Sequence, residues 1–137
     1  MSPERVAIPE QIHAAMIAHA DFCFPEEACG LIAVDEEHVL RMVYATTNID
    51  RSPVKFTVSP EEHFGVIRHA ETHGWQVAGS FHSHPKSAAF PSARDIAGAL
   101  DPEWLYVVVG LVGGVADVRG YRIRDLAVSE VAFVEVP

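Results

Sequence analysis

The chain has 137 residues, enough for one domain with a hydrophobic core and too few for two ordinary domains, so we predict a single domain over residues 1–137. Although 49% of the residues are hydrophobic, no apolar run reaches the roughly 20 residues that a membrane-spanning helix needs, and the first residues do not resemble a signal peptide, so we expect a soluble, cytoplasmic protein. A net charge of −9 would repel nucleic-acid phosphates and argues against nucleic acid as a partner.

The first half of the chain alternates between helical and strand-like patterns. Hydrophobic residues at helical spacing predict a helix over about residues 9–21, with Pro9 in its first turn. Two β-branched runs, 28–34 and 38–46, flank an acidic turn and predict a hairpin. Residues 54–58 predict a third short strand.

A second helix is the clearest element of the sequence. Ser59 is its predicted N-cap, Pro60 fits its first position, and Glu62 would complete a capping box. Gly74 suits the exit from this helix. Residues 75–84 then predict a strand.

The second half of the chain continues the mixed pattern. Ser92 begins a predicted helix that runs to about residue 100, and strands are predicted over 103–112, 115–123 and 126–136, with a turn at Gly113 and Gly114. The order of elements predicts an α+β fold with a mixed, mainly antiparallel sheet flanked by helices.

Two histidines stand at the end of the strand predicted over 75–84. Alternate side chains of a strand share a face, so His82 and His84 should project together. Pro85 would end the strand, and the loop after it could return Asp95 to the same point. Two nitrogens and one carboxylate oxygen are the donor set of a catalytic zinc, which keeps an open position for water.

A zinc-activated water still needs a base that carries its proton to the leaving amine. Glu27 is our candidate because it precedes a buried strand, where a carboxylate is costly unless it is paired or used. Ser92 could donate a hydrogen bond to the developing oxyanion.

These residues resemble the JAMM (MPN+) metalloprotease family. Its pattern is an upstream glutamate, H-x-H, seven residues and S-x-x-D, and this chain matches it at Glu27, His82, His84, Ser92 and Asp95. The resemblance extends from the first helix through the strand at 103–112. It implies that His82, His84 and Asp95 bind one Zn²⁺, that Glu27 is the general acid and base, and that Ser92 stabilises the intermediate.

The resemblance also implies a substrate class. JAMM proteases cut amide or isopeptide bonds after the C-terminal glycine of ubiquitin-like proteins. The small size of this chain is most similar to compact bacterial members, of which one group removes cysteine from a ubiquitin-fold sulfur carrier. We therefore expect a sulfur-carrier partner with a C-terminal glycine tail, while an isopeptidase that releases lysine and a metal-free, non-catalytic scaffold stay open as alternatives.

Other residues offer competing interpretations. Glu26 is the rival of Glu27 for the role of base, and the family register favours Glu27. Cys29 is expected to be a small core residue rather than a nucleophile, and Ser83 should point away from both imidazoles. His69 and His73 lie four residues apart, but we expect them on a solvated helix face.

Overall fold

A computed structural model of the chain describes residues 2–137, which form one curled sheet of seven strands and three α-helices. The elements in chain order are β1 (Arg5–Pro9), α1 (Glu10–Cys23), β2 (Cys29–Val34), β3 (Leu40–Thr46), α2 (Pro60–Thr72), β4 (Gln76–His84), α3 (Ala93–Gly98), β5 (Leu105–Gly110), β6 (Asp117–Arg124) and β7 (Ala127–Val136).

The strands are ordered β1-β7-β6-β5-β4-β2-β3 across the sheet. Only β1 with β7 and β4 with β5 pair in parallel, and the other neighbouring strands are antiparallel. The expected α+β fold with a mixed, mainly antiparallel sheet is therefore confirmed. The sheet curls far enough for its two edge strands, β1 and β3, to contact each other.

Helix α1 fills the inside of the curl. Its residues at helical spacing, Ile12, Met16 and Ala20, are buried in the main hydrophobic cluster. Strand β5 alternates between the two faces of the sheet, since Val107 belongs to this cluster and Val108 belongs to a second one on the opposite face. The candidate site lies on that second face.

Most of the features predicted for the start and end of the second helix are confirmed in α2. Ser59 caps the helix by accepting a hydrogen bond from the backbone N–H of Glu62 at 3.4 Å, and Gly74 after the helix has a φ of +72°. The expected capping box does not close. The carboxylate of Glu62 instead accepts hydrogen bonds from the backbone N–H and the hydroxyl of Thr47 at 2.6 and 3.0 Å, which ties α2 to the chain after β3.

The predicted strand over 54–58 is wrong. Only Val58 forms a bridge, with Asn48, and no ladder continues from it. The side-chain amide of Asn48 takes the place of strand pairing, because it donates to the carbonyl of Lys55 at 3.0 Å and accepts from the N–H of Thr57 at 3.2 Å. Residues 54–58 are therefore a loop held by one asparagine.

Strand β1 was not predicted. It is short and mostly exposed, and its partner β7 lies at the far end of the sequence, with Arg5 paired to Ala132. The first helix begins at Glu10, with Pro9 as its N-cap rather than in its first turn. The helix predicted from Ser92 ends at Gly98, two residues earlier than expected.

Remaining expectations concern the thiols, the glycine turn and membrane helices. Cys23 and Cys29 are both free, and Gly113 and Gly114 turn the chain between β5 and β6 with φ values of 81° and 79°. None of the helices within residues 2–137 has both the length and the apolar character needed to cross a membrane.

Candidate active site

Strand β4 carries two histidines on one face. Phe81 is buried in the cluster around α1, whereas His82 and His84 lie on the opposite face, as the alternation of a strand requires. Both imidazoles are buried, at 6% and 5% exposure. The strand ends at His84, and Pro85 follows.

The two imidazoles and the carboxylate of Asp95 meet at one point. The Nε2 atoms of His82 and His84 are 3.1 Å apart, and they lie 2.9 and 3.1 Å from the same Oδ2 atom of Asp95. Ligands of a tetrahedral zinc at about 2.0–2.1 Å are separated by about 3.3 Å, so one ion between these atoms needs only a small expansion. Within residues 2–137 no other group of three or more His, Cys, Asp or Glu side chains converges in this way.

The chain holds His84 in the tautomer that a metal needs. Its Nδ1–H donates to the carbonyl oxygen of Ala88 at 2.9 Å, which leaves the Nε2 lone pair directed at the cluster. The ring of His82 stacks on Phe56 with centroids 4.6 Å apart. Both rings are thus oriented before any ion binds.

Asp95 reaches the cluster from the first turn of α3. Ser92 caps this helix, since its hydroxyl oxygen accepts from the N–H of Asp95 at 3.1 Å, and Asp95 Oδ2 accepts from the N–H of Ser92 at 2.8 Å. This reciprocal capping box fixes the orientation of the Asp95 carboxylate, so that its Oδ2 atom faces the histidines. Burial acts to raise the pKa of Asp95, but the neighbouring imidazoles and the N–H of Ser92 hold it below its ordinary value.

The loop between His84 and Ser92 follows a path set by packing. A Cβ atom at Gly110 would lie 2.6 Å from the backbone nitrogen of Ala89, so only glycine lets this loop press against β5. The hydroxyl of Tyr121 on β6 donates to the carbonyl of Ala89. Neither contact has a signal in the sequence, although together they direct the chain back toward β4.

Glu27 lies beside this cluster. Cys29 pairs with His82, and continuing that antiparallel register by two residues sets Glu27 opposite His84. Glu27 is 4% exposed, and its Oε1 atom has no hydrogen-bond partner in the part of the chain that the structure describes. Burial, with a further contribution from the charge of Asp95, raises its pKa to about 7. Glu26 instead faces Arg51, with 3.8 Å between Oε2 and Nε.

Ser83 joins the backbone beside Glu27 to the strand of the histidines. Its hydroxyl accepts from the N–H of Ala28 at 2.7 Å, and its own N–H donates to the carbonyl of Ala28 at 3.0 Å. The side chain therefore points away from both imidazoles, as expected. These two bonds hold Glu27 in register with His84.

Replacing Ser83 with alanine should weaken both the fold and the placement of Glu27. The N–H of Ala28 would lose its acceptor in a buried place, which costs about 1–3 kcal/mol of unfolding free energy. Urea unfolding of the zinc-free protein measures this loss, and Ser129→Ala, at an exposed position of β7, should change it by less than about 0.5 kcal/mol. Equal stability of the two variants would contradict the assignment.

The raised pKa of Glu27 predicts a pH-dependent stability of the zinc-free protein. As the pH rises from about 4.5 to 7, the unfolded chain releases a proton that the folded chain retains, so the free energy of unfolding falls by up to about 3 kcal/mol. Glu27→Gln cannot ionise and escapes this loss. Its free energy of unfolding should exceed that of the wild-type protein by about 1–3 kcal/mol at pH 8 and equal it near pH 4. A difference that does not change with pH would rule out a raised pKa at Glu27.

A groove of about 520 Å³ lies on this face of the sheet, and His82 and Asp95 are part of its lining. Its floor is largely apolar and comes from β2, β4, β5 and β6. One wall is the loop over 54–58, and the other includes α3 and the residues after it. The lining includes Leu31, Phe56, Val108, Ile123, Pro91 and Leu100.

The residues considered as alternatives for catalysis or metal binding have structural surroundings instead. Burial raises the pKa of the Cys29 thiol to about 11, which disfavours the thiolate that a nucleophile needs. His69 bonds the hydroxyl of Tyr44 at 2.7 Å, and His73 stacks on Trp75 with centroids 4.6 Å apart. His69 and His73 lie on exposed positions of α2 and its end, as expected.

Comparisons with known proteins agree with this geometry. The family model described as prokaryotic homologues of the JAB domain matches residues 9–124. The CysO-cysteine peptidase of Mycobacterium tuberculosis is 35% identical over 122 residues, covering 85% of this chain and 81% of the relative. The desampylase of Haloferax volcanii is 26% identical over 137 residues, covering 94% and 99%. A solution structure from Desulfitobacterium hafniense has a TM-score of 0.86 at 30% identity, covering 96% of this chain and 92% of that chain.

Proposed function

The chain belongs to the prokaryotic JAB-domain family, a compact branch of the JAMM (MPN+) proteins, and on that premise we propose that it is a zinc metallopeptidase. Its substrate is a ubiquitin-fold sulfur carrier, and it hydrolyses the amide bond after the carrier's C-terminal glycine and releases cysteine. The meeting of His82, His84 and Asp95 within 3.1 Å of one another, beside buried Glu27, carries the proposal. The name of the mycobacterial relative supports the substrate class.

The donor set suits zinc. Two neutral imidazole nitrogens and one carboxylate are ligands that Zn²⁺ accepts, and three protein ligands leave a position open for chemistry. When bound, zinc would polarise the scissile carbonyl and acidify a water molecule. We assign His82, His84 and Asp95 as the ligands of one zinc per chain.

Glu27 is the proposed proton carrier. Its pKa of about 7 lets it accept a proton from the attacking water at neutral pH and then donate it to the leaving amine. Its Oε1 atom has no hydrogen-bond partner among residues 2–137, so it is free to receive that proton. The ion pair that draws Glu26 toward Arg51 supports this choice between neighbours.

Ser92 is the proposed donor to the oxyanion. Its hydroxyl oxygen already accepts a hydrogen bond from the N–H of Asp95, and its hydrogen is left to donate elsewhere. Position on the α3 N-cap keeps the hydroxyl next to a zinc ligand. Such a preorganised donor stabilises charge that develops on the carbonyl oxygen.

The groove offers a place for an extended glycine tail. Its lining includes large side chains such as Phe56 and Leu100, so residues without side chains would fit most easily beside them. Several backbone groups of the loop over 54–58 are already hydrogen-bonded to Asn48, Ile49 and Arg94, so the tail would be held mainly by contacts with the side chains that line the groove. Most of the selectivity would then come from the carrier's globular surface.

A second candidate is an isopeptidase that releases lysine. The desampylase match favours it, because the alignment covers 94% of this chain and 99% of that protein. Every catalytic residue proposed above would serve both reactions. The leaving group alone distinguishes them.

Metal analysis and product masses test the proposal. The purified protein should hold about one zinc per chain, and it should release cysteine from a carrier–cysteine adduct with loss of activity on chelation. Release of lysine alone would support the isopeptidase. A protein that binds no zinc, gains no activity on zinc addition and cleaves neither adduct would be a scaffold instead.

A further inference from the structure

We infer that Arg94 selects the leaving group by pairing with the free α-carboxylate of the amino acid that is released. The inference rests on the proposed function and decides between its two leaving groups. It assigns Arg94 a role in specificity, separate from the zinc ligands and from Glu27.

Arg94 stands at the junction of the groove and the ligand cluster. It directly precedes Asp95 in α3 and lines the groove together with His82 and Asp95. Its Nη1 donates to the carbonyl oxygen of Val54 at 3.0 Å, so the guanidinium reaches from α3 to the loop on the opposite wall. Its charge also acts on Glu27, where it opposes the effect of burial, which raises the pKa of that carboxyl.

The guanidinium keeps a free edge for an anion. With Nη1 occupied by Val54, the Nε and Nη2 donors remain on one edge, in the geometry that binds a carboxylate through two parallel hydrogen bonds. None of the ion pairs within residues 2–137 includes Arg94, whereas Arg41, Arg51, Arg119 and Arg122 each pair with a carboxylate. Arg94 thus carries a charge next to the site that no carboxylate within residues 2–137 pairs with.

The chemistry of the adduct places an anion there. When an amino acid is joined through its α-amine to the carrier's terminal glycine, its carboxylate is three bonds from the scissile carbonyl carbon. That carboxylate must then lie close to Glu27 and Asp95, whose two negative charges would offset the charge of a bound Zn²⁺, in a chain of net charge −9, so the proposed metal site offers it no net positive charge. A cation beside Asp95 supplies one.

An isopeptide-linked lysine lacks this feature. Its leaving amine is separated from its α-carbon by four methylene groups, and its α-carboxyl group is part of a peptide bond in the acceptor protein. Arg94 gains nothing from such a substrate. The residue therefore favours release of a free amino acid over removal of a tag from lysine.

Lys55 is the other Lys or Arg among the groove residues, on the opposite wall. A general positive potential would come from both residues, whereas a specific contact would come from Arg94. Lys55→Gln is therefore one control. Arg68→Gln is a second control, because Arg68 lies on exposed α2 outside the groove lining.

The test compares three adducts of one carrier. The probes are a carrier–cysteine adduct, the same adduct with its terminal carboxylate converted to a carboxamide, and the same carrier joined to the side-chain amine of a lysine within a peptide. The zinc-loaded wild-type protein should favour the carboxylate over the carboxamide by 10-fold or more in kcat/KM. Arg94→Gln should remove this preference and Arg94→Lys should keep part of it, while Lys55→Gln and Arg68→Gln should retain it.

A binding measurement gives a readout without turnover. In the Glu27→Gln protein, the Kd for the carboxylate adduct should be lower than that for the carboxamide, and a further Arg94→Gln change should make them equal. A preference that survives Arg94→Gln in either assay overturns the inference and leaves the peptidase intact. If the wild-type protein cleaves no adduct, the proposed function fails, and equal Kd values for the two adducts would then reject the role of Arg94 separately.

Discussion

Glu27→Gln is expected to lower kcat by about 10²–10⁴-fold while one zinc per chain stays bound, the range that general acid and base catalysis contributes. The substitution keeps the size of the side chain and removes only its ability to take and return a proton. The cluster of His82, His84 and Asp95 is untouched, because Glu27 contributes no atom to it. Single-turnover hydrolysis of a carrier–cysteine adduct, with zinc measured on the same sample, checks both halves of this result.

Glu26→Gln is the matched control. It changes the neighbouring residue in the same way, but Glu26 is partly exposed and its carboxylate faces Arg51. Activity should stay within about twofold of wild type, since exposed ion pairs contribute little. If Glu26→Gln loses activity and Glu27→Gln keeps it, the assignment of the base is reversed.

Asp95→Ala is expected to reduce both zinc content and activity. Its Oδ2 atom is the point at which both Nε2 atoms meet, and two imidazoles alone leave an ion with too few protein ligands. We expect substoichiometric zinc after dialysis and a loss of hydrolysis of at least about 100-fold. Full zinc occupancy in this variant would remove Asp95 from the ligand set.

Two further variants separate ligation from helix capping. Asp95→Asn keeps an oxygen that can accept from the N–H of Ser92, so α3 should persist while zinc affinity falls. Asp101→Ala changes another acid of the groove, one that lies outside the ligand cluster, and zinc content should stay at one per chain. Zinc loss in Asp101→Ala as large as in Asp95→Ala would indicate a general charge effect.

The convergence of His82, His84 and Asp95 was predictable because its geometry is local. The alternation of β4 brings His82 and His84 together, and Asp95 follows within a short loop and one helical turn. Glu27 needed the resemblance to a known family as well, since the residues alone did not separate it from Glu26. In the structure Glu27 is buried and Glu26 pairs with Arg51, which supports the proposal of Glu27 as the base.

The missed features depend on contacts that are distant in sequence. Strand β1 exists because β7, more than a hundred residues later, offers a parallel partner. Residues 54–58 have the composition of a strand, but hydrogen bonds with the side chain of Asn48 hold their backbone in a loop. The stacking of Phe56 on His82 follows from that loop, so the wall of the groove could not be predicted from local pattern.

The Oδ2 atom of Asp95 accepts a hydrogen bond from the N–H of Ser92 at the start of α3. The same atom lies within 3.1 Å of the Nε2 atoms of both histidines. Loading of the ion and docking of that helix are consequently linked equilibria, and each must favour the other by the same free energy. A substrate that contacts α3 should raise the affinity for zinc. Removal of zinc by a chelator should lower the affinity for that substrate by an equal factor. With zinc at the proposed site, retention of the ion would therefore report the binding of substrate.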